Sequence, residues 1–148
     1  MSTYYALLLP QHMRLKIQEV RRALFFATGH SSFRAQESWI LLGETEDTIL
    51  SKQVTCPPMP LTVQGTTVYS DNTLFFPVEQ NELEKIRGEL GVSHPYSGIY
   101  LGKVNGEAAV QLPPLTNLRL ALVEIQEQGE ITLWRTLAEK RLQRDKVL

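Results

Sequence analysis

The sequence predicts an α+β protein built from two similar strand–helix–strand units. Residues 38–44 and 98–104 are two apolar segments of strand length, and each contains Leu-Gly followed by a charged residue. Each follows an amphipathic stretch whose apolar residues recur at helical spacing. This duplication predicts two lobes related by a pseudo-twofold axis, with antiparallel sheets lining a central cleft and the helices outside.

The first unit, residues 4–50, begins with an apolar run over residues 4–9 that is closed by Pro10. Apolar residues then recur from Ile17 to Leu24 with charged residues between them, which predicts a helix starting at Gln11. Gly29 is well placed to end this helix, because glycine accepts the left-handed conformation at a helix C-terminus. The strand 38–44 completes the unit.

The second unit, residues 73–110, repeats this order. A short apolar strand at 73–76 precedes Pro77, an amphipathic helix over 80–90 ends at Gly91, and the strand 98–104 follows. Strands over 61–69 are expected between the units, and a hairpin over 118–142 turns at Gln128-Gly129. We expect residues 1–148 to form one domain.

Composition is that of an ordinary soluble domain. The 148 residues are 43% hydrophobic and 21% charged, with a formal net charge of -1, so no global positive field indicates nucleic acid or an acidic membrane. Cys56 is the only cysteine, which excludes an intrachain disulfide. The sequence has neither a signal-peptide pattern nor an apolar run long enough to span a bilayer. We therefore predict a cytoplasmic protein that binds no membrane.

Two segments resemble the motifs of the two-histidine (2H) phosphoesterase superfamily, which includes the bacterial 2'-5' RNA ligase/2',3'-cyclic phosphodiesterase proteins. Residues 36–44 align without a gap to the family pattern His-x-Thr-Leu-x-x-Leu-Gly-Glu. Residues 98–103, Gly-Ile-Tyr-Leu-Gly-Lys, match the second pattern, His-x-Thr-Leu-x-Arg. The opening strand, proline and helix also resemble the family, and the resemblance implies a LigT-like fold over nearly the whole chain.

Both catalytic histidines of the resembled family are replaced. The resemblance implies two histidines as general acid and base and two hydroxyls that bind phosphate, yet Gln36 and Gly98 stand at the histidine positions. Ser38 and Tyr100 stand at the hydroxyl positions. A glutamine amide does not titrate near neutral pH and glycine has no side chain, so neither residue can transfer a proton. We therefore expect a degenerate active site without catalytic residues.

The remaining polar and aromatic residues suggest that such a site still binds a ligand. The first hypothesis is that the protein binds a nucleotide, cyclic nucleotide or RNA end without hydrolysing it. Its expected contacts are hydrogen-bonding, basic and ring side chains: Gln36, Ser38, Tyr100, Lys103, Tyr5 and Tyr96. No cofactor is expected, and the histidines and the cysteine lack metal-ligand spacing, so no metal site is predicted.

Two alternatives remain. The second hypothesis is a protein–protein interaction module or homodimer whose cleft is filled, in which case Tyr100 and Trp39 would pack inside it. The third is an active 2',3'-cyclic phosphodiesterase that uses a displaced histidine, His30 or His94. An open polar cleft would favour the first hypothesis over the second.

Overall fold

The computed structural model describes residues 2–34, 39–57 and 60–142. In these ranges it contains two α-helices, a short 3-10 helix and one seven-stranded antiparallel sheet, which confirms the predicted α+β class. The helices are α1 (Gln11–Thr28) and α2 (Gln80–Leu90), and the 3-10 helix is Ser31–Arg34. The strands are β1 (Ser2–Leu8), β2 (Trp39–Thr45), β3 (Val68–Ser70), β4 (Thr73–Pro77), β5 (Gly98–Gly102), β6 (Arg119–Gln128) and β7 (Ile131–Arg141).

The two strands that resemble each other lie side by side at the centre of the sheet. The strand order is β3-β4-β5-β2-β1-β6-β7, so β5 and β2 join the two halves. Among the described residues, Ile40 and Ile99 form the registered pair between these two strands. The two predicted lobes therefore share one continuous sheet. The junction between β2 and β5 at its centre is narrow, because one registered pair of described residues joins them.

Both helices end where the sequence predicts. Gly29 and Gly91 each have φ of 72°, and each glycine N–H donates to a carbonyl of the last helical turn. Only glycine adopts this left-handed conformation without a steric penalty from Cβ. Each helix is thereby stopped sharply enough for the chain to turn back toward the sheet.

The two faces of the sheet have different environments. Successive side chains of a strand point to opposite faces of the sheet. One face packs against the helices, and the other faces away from them. Tyr5, Ile40 and Leu42 lie on the helix-covered face, in the larger core. Trp39 and Leu41 lie on the opposite face, here called the cleft face.

The region between the units is less regular than expected. Of the predicted strands over 61–69, the structure has β3 together with isolated bridges at Leu61, Val63 and Thr66. These three residues pair with three different segments, at positions 115, 78 and 109. Since a strand needs successive residues paired to one neighbour, this dispersion keeps the segment from forming a regular ladder.

Candidate functional site

Aromatic side chains cover the centre of the cleft face. Trp134 of β7 packs edge-on against Trp39 of β2, with ring centroids 4.4 Å apart, and lies 5.5 Å from the ring of Tyr100 of β5. In a flat sheet β7 and β5 would be separated by about 19 Å, because neighbouring strands are spaced about 4.8 Å apart. The sheet therefore curves strongly, and Trp134 reaches across it to close the centre of this face.

At the second motif-like strand, the position that the resemblance aligns with a histidine has no space for a side chain. Gly98 is buried on β5, opposite Pro77 of β4. A Cβ at this position would overlap the carbonyl oxygen of Phe76 and would lie 2.5 Å from Cδ2 of Phe75. The structure thus leaves no space at Gly98 for a histidine side chain without movement of β4.

Tyr100 presents a buried hydroxyl at the position that the resemblance predicts to bind phosphate. The residue is only 6% exposed, and its hydroxyl has no hydrogen-bond partner in the described part of the chain. Burial raises the pKa of Tyr100, and the nearby Thr132 hydroxyl and the Arg21 charge oppose this effect. The Thr132 hydroxyl donates to Glu127 and does not reach hydrogen-bond geometry with Tyr100. Tyr100 is therefore a neutral hydrogen-bond donor at physiological pH.

A second unsatisfied donor lies beside it. The indole N–H of Trp134 is buried and likewise lacks a partner among the described residues. An indole N–H can only donate, and a buried donor without an acceptor costs about 1–3 kcal/mol. Tyr100 and Trp134 thus form a pair of buried donors without acceptors among the described residues, on rings whose centroids lie 5.5 Å apart.

The first motif is only partly described. Gln36 and Ser38 lie outside the described residues. The described strand begins at Trp39, whose side chain is 2% exposed on the cleft face. The described part of this half of the site is therefore the buried indole of Trp39, which follows Ser38, the residue predicted to bind phosphate, in the sequence.

The other predicted ligand contacts are dispersed. Lys103 follows β5, and its ammonium forms an ion pair with Glu127, so its charge is compensated. Tyr96 is 8% exposed, and Phe75 stacks on its ring at 4.7 Å.

Tyr5 does not lie on the cleft face: it is fully buried on the helix-covered face, and its hydroxyl donates to Asp47. Strand alternation places Tyr5 opposite to the cleft, which corrects its assignment as a stacking face.

The two displaced histidines occupy separate environments. Nδ1 of His30 lies 2.7 Å from Oγ of Ser32, and its Nε2 lies 3.6 Å from a carboxylate oxygen of Glu130. Ser32 is itself only 2% exposed, so its hydroxyl is not accessible to a substrate. His30 therefore fastens the end of α1 to the β6–β7 turn.

His94 lies among aromatic rings rather than beside His30. Its ring is 4.6 Å from that of Tyr96 and 6.3 Å from that of Tyr4. Burial, and then the charge of Arg87, lower the pKa of His94 to about 4. An imidazole with this pKa is a weak proton acceptor at neutral pH.

The sequence did not predict the position of Trp134 on the cleft face or the packing roles of Arg21 and Arg87. The sequence shows the two arginines at matching positions of the helices, but only as part of the repeat. Nothing in the hairpin pattern indicates that Trp134 reaches the centre of the cleft face. In that case the only available signal was an indole at an inward-facing position of a predicted strand.

Neither helix of the described region combines the length and apolar character that a membrane span requires. Within residues 2–34, 39–57 and 60–142, the His, Cys, Asp and Glu side chains form no group of three or more that could hold a metal ion.

Solved structures share this architecture. No protein-family model and no curated protein sequence matches the chain. The structure of E. coli LigT complexed with 3'-AMP matches with a TM-score of 0.64 and 16% identity, over 95% of this chain and 96% of that one. The protein TT0787 of Thermus thermophilus matches with a TM-score of 0.66 and 16% identity, over 98% and 100% of the two chains. E. coli LigT complexed with NADP+ gives 0.64 and 16%, over 95% and 96%. This chain therefore shares the fold of E. coli LigT and TT0787, which is the LigT-like fold that its two motif-like strands predicted.

Proposed function

We propose that this protein is a non-hydrolysing 2H-fold protein that binds a nucleotide, a cyclic nucleotide or an RNA end in its cleft. The observation that carries the proposal is the pair Gly98 and Tyr100 on β5. At Gly98 the proton carrier is replaced and its space is closed. At Tyr100 a buried hydroxyl remains and has no hydrogen-bond partner among the described residues.

We expect no hydrolysis because the chain lacks side chains that can transfer a proton at the two positions where the resembled family has histidines. Positioned acid–base groups contribute typically ~10²–10⁴-fold to such reactions. Gln36 and Gly98 provide neither group, and His94 is held neutral within a ring cluster. Turnover by the two-histidine mechanism would therefore be lost while binding could persist.

Ligand binding is supported by the donor pair and by the fold. Tyr100 and Trp134 both have unsatisfied buried donors on the cleft face. Structures with this fold include E. coli LigT complexed with 3'-AMP, NADP+ and ATP. In this proposal Gln36 and Ser38 supply the ligand contacts from the first motif, and Lys103 lies at the end of β5.

The proposal is tested by titrating the full chain with 3'-AMP and 2',3'-cyclic AMP. Tryptophan fluorescence reports binding, since Trp39 and Trp134 pack together on the cleft face, and phosphorus NMR reports hydrolysis. We expect saturable binding without product. Tyr100→Phe should weaken binding about 5- to 10-fold, as expected for the loss of one hydrogen bond. Tyr69→Phe, an exposed site on β3, should not.

Different results would contradict the two parts of this proposal, the absence of hydrolysis and the binding of a nucleotide or RNA end. Product that disappears in His94→Ala or His30→Ala would contradict the non-hydrolysing assignment and support the displaced-histidine alternative. A flat fluorescence titration with both nucleotides and with a short RNA would contradict the ligand assignment.

One observation favours the second candidate, an interaction module. The packing of Trp39, Tyr100 and Trp134 closes the described centre of the cleft face. The edge strand β7 also exposes Ile131, Leu133 and Leu137 by 41–44%. Light scattering tests this candidate: concentration-dependent dimerisation that is abolished by Leu133→Glu would support it, and a monomer at all concentrations would argue against a homodimer.

We further propose that the chain is a single cytoplasmic domain with units at 4–50 and 73–110. The continuous sheet through β2 and β5 supports one domain. The single cysteine is compatible with a reducing compartment.

A further inference from the structure

A groove of about 430 Å³ lies on the second unit, beside the aromatic centre of the cleft face, since its lining residue Phe75 is the cross-strand partner of Tyr100. Its lining includes Val68 of β3 and Phe75 of β4, Glu79 just before α2, and His94 and Tyr96 from the connection between α2 and β5. All of its lining residues belong to the described part of the chain, and they do not include the donor pair Tyr100 and Trp134. The volume lies within the range of small-molecule sites.

One wall of the groove is built from two stacked rings. Phe75 and Tyr96 have centroids 4.7 Å apart and planes inclined by 25°. Both rings are held by burial, with exposed fractions of 6% and 8%. A rigid apolar wall of this kind favours a flat ring, because little side-chain entropy is lost when the ligand binds.

His94 adds one polar contact to this wall. Its Nε2 is buried and has no hydrogen-bond partner in the described residues, and its ring packs against Tyr96 at 4.6 Å. Because the imidazole is neutral near pH 7, Nε2 can serve as donor or acceptor according to its tautomer.

The groove carries negative rather than positive charge. None of its lining residues is lysine or arginine, whereas Glu79 and Glu84 both contribute carboxylates. Arg87 compensates Glu84 at 2.9 Å. Glu79 accepts the backbone N–H of Thr62 at 3.1 Å and has no ion-pair partner in the described residues. A phosphate would therefore be repelled here, and a cation would be attracted.

We infer that this groove is a second binding site, distinct from the donor pair Tyr100 and Trp134, and that it takes a small aromatic amine; Tyr96, an expected nucleotide contact, lines this groove. The ring of the ligand lies against Phe75 and Tyr96, its ammonium faces Glu79, and His94 provides the remaining hydrogen bond.

Three probes with the same ring and different charges test this inference: benzylamine, benzyl alcohol and benzoate. Each is titrated into the full chain at pH 7, and NMR follows the ring nitrogens of His94 and the ring protons of Phe75. We expect saturable shifts with benzylamine and about 3- to 10-fold weaker binding of benzoate, which corresponds to a modest electrostatic preference. Glu79→Gln should remove the preference for benzylamine over benzyl alcohol while the ring still binds.

A matched pair of variants tests the location. Val68→Trp fills the groove from β3, whereas Tyr69→Trp adds the same side chain at the neighbouring residue, which does not line it. Both sites are about 40% exposed, so both variants should fold. We expect Val68→Trp to abolish the benzylamine shifts and Tyr69→Trp to retain them. Equal binding of benzoate and benzylamine, or unchanged shifts in Val68→Trp, would overturn the inference.

Discussion

Arg21 of α1 and Arg87 of α2 occupy matching positions in the two units, and each donates to the central strand of the other unit. Nη2 of Arg21 donates to the carbonyl oxygen of Tyr100 at 2.8 Å. Nε of Arg87 donates to the carbonyl oxygen of Leu42 at 2.9 Å. The arginines are 2% and 1% exposed. These reciprocal contacts hydrogen-bond strand carbonyls beside the narrow junction between β2 and β5, and they join the two units.

Replacing Arg87 should destabilise the protein strongly. Its guanidinium also donates to the carbonyl oxygens of Leu41 and Tyr96, so Arg87→Met leaves several buried acceptors unpaired. We expect the free energy of unfolding in urea to fall by about 3–5 kcal/mol. Arg22→Met, at an exposed position of α1, should change it by less than about 0.5 kcal/mol. Similar small effects of both variants would contradict the role assigned to Arg87.

Restoring a histidine at Gly98 should not restore catalysis. Gly98→His introduces a Cβ into space filled by Phe75 and Phe76, so we expect a loss of about 1–3 kcal/mol of stability and no hydrolysis of 2',3'-cyclic AMP. Gly88→His is the matched control, because a Cβ at Gly88 meets nothing within 4 Å. Thermal unfolding and phosphorus NMR check both variants, and a stable, active Gly98→His protein would disprove steric closure.

Removing a tyrosine hydroxyl should have opposite effects at two positions. Tyr100→Phe removes a buried hydroxyl without a partner among the described residues, so the free protein should be unchanged or up to about 1 kcal/mol more stable. Tyr5→Phe removes the hydrogen bond to Asp47 and should cost about 1 kcal/mol. Denaturant titrations of the two variants give the comparison. A clear destabilisation by Tyr100→Phe would indicate that its hydroxyl is satisfied within the protein.

Stability should decline in mild acid because of His94. Its pKa is lowered from 6.5 to about 4 in the folded protein, by burial first and then by the charge of Arg87; Tyr4 and Tyr96 also face it. The unfolded chain therefore takes up a proton on this residue before the folded chain does. The contribution of His94 to the free energy of unfolding is therefore full above about pH 6.5, and it is lost as the pH falls from about 6.5 to 4.

We expect this loss to be at most about 2 kcal/mol, allowing for solvent screening of a partly exposed group. Urea unfolding at pH 7 and pH 5 measures it, and His94→Gln should flatten the pH dependence. His12→Gln, an exposed site at the start of α1, is the control. An unchanged slope in His94→Gln would assign the effect to other groups.

Much of the fold could be predicted because its signals are local. Helix α1 begins at Gln11 and ends before Gly29, and helix α2 ends before Gly91, because periodicity and glycine conformation act over a few residues. That Gly98 stands where the resembled pattern has a histidine is likewise visible in the amino-acid sequence. The segment 61–67 was not predictable in this way, since its bridges join positions that are distant in the chain.

The fold class and the similarity of the two units can be recognised from the order of residues alone, as can the absence of histidine at positions 36 and 98. Three features required the folded chain: Tyr5 and Tyr100 lie on opposite faces, β4 closes the space beside Gly98, and Trp134 reaches Tyr100. These features depend on strand register and sheet curvature, which arise from contacts between residues far apart in the chain. The two strands that resemble each other therefore predicted the fold, while the shape of the face around Tyr100 depends on the strands packed beside them.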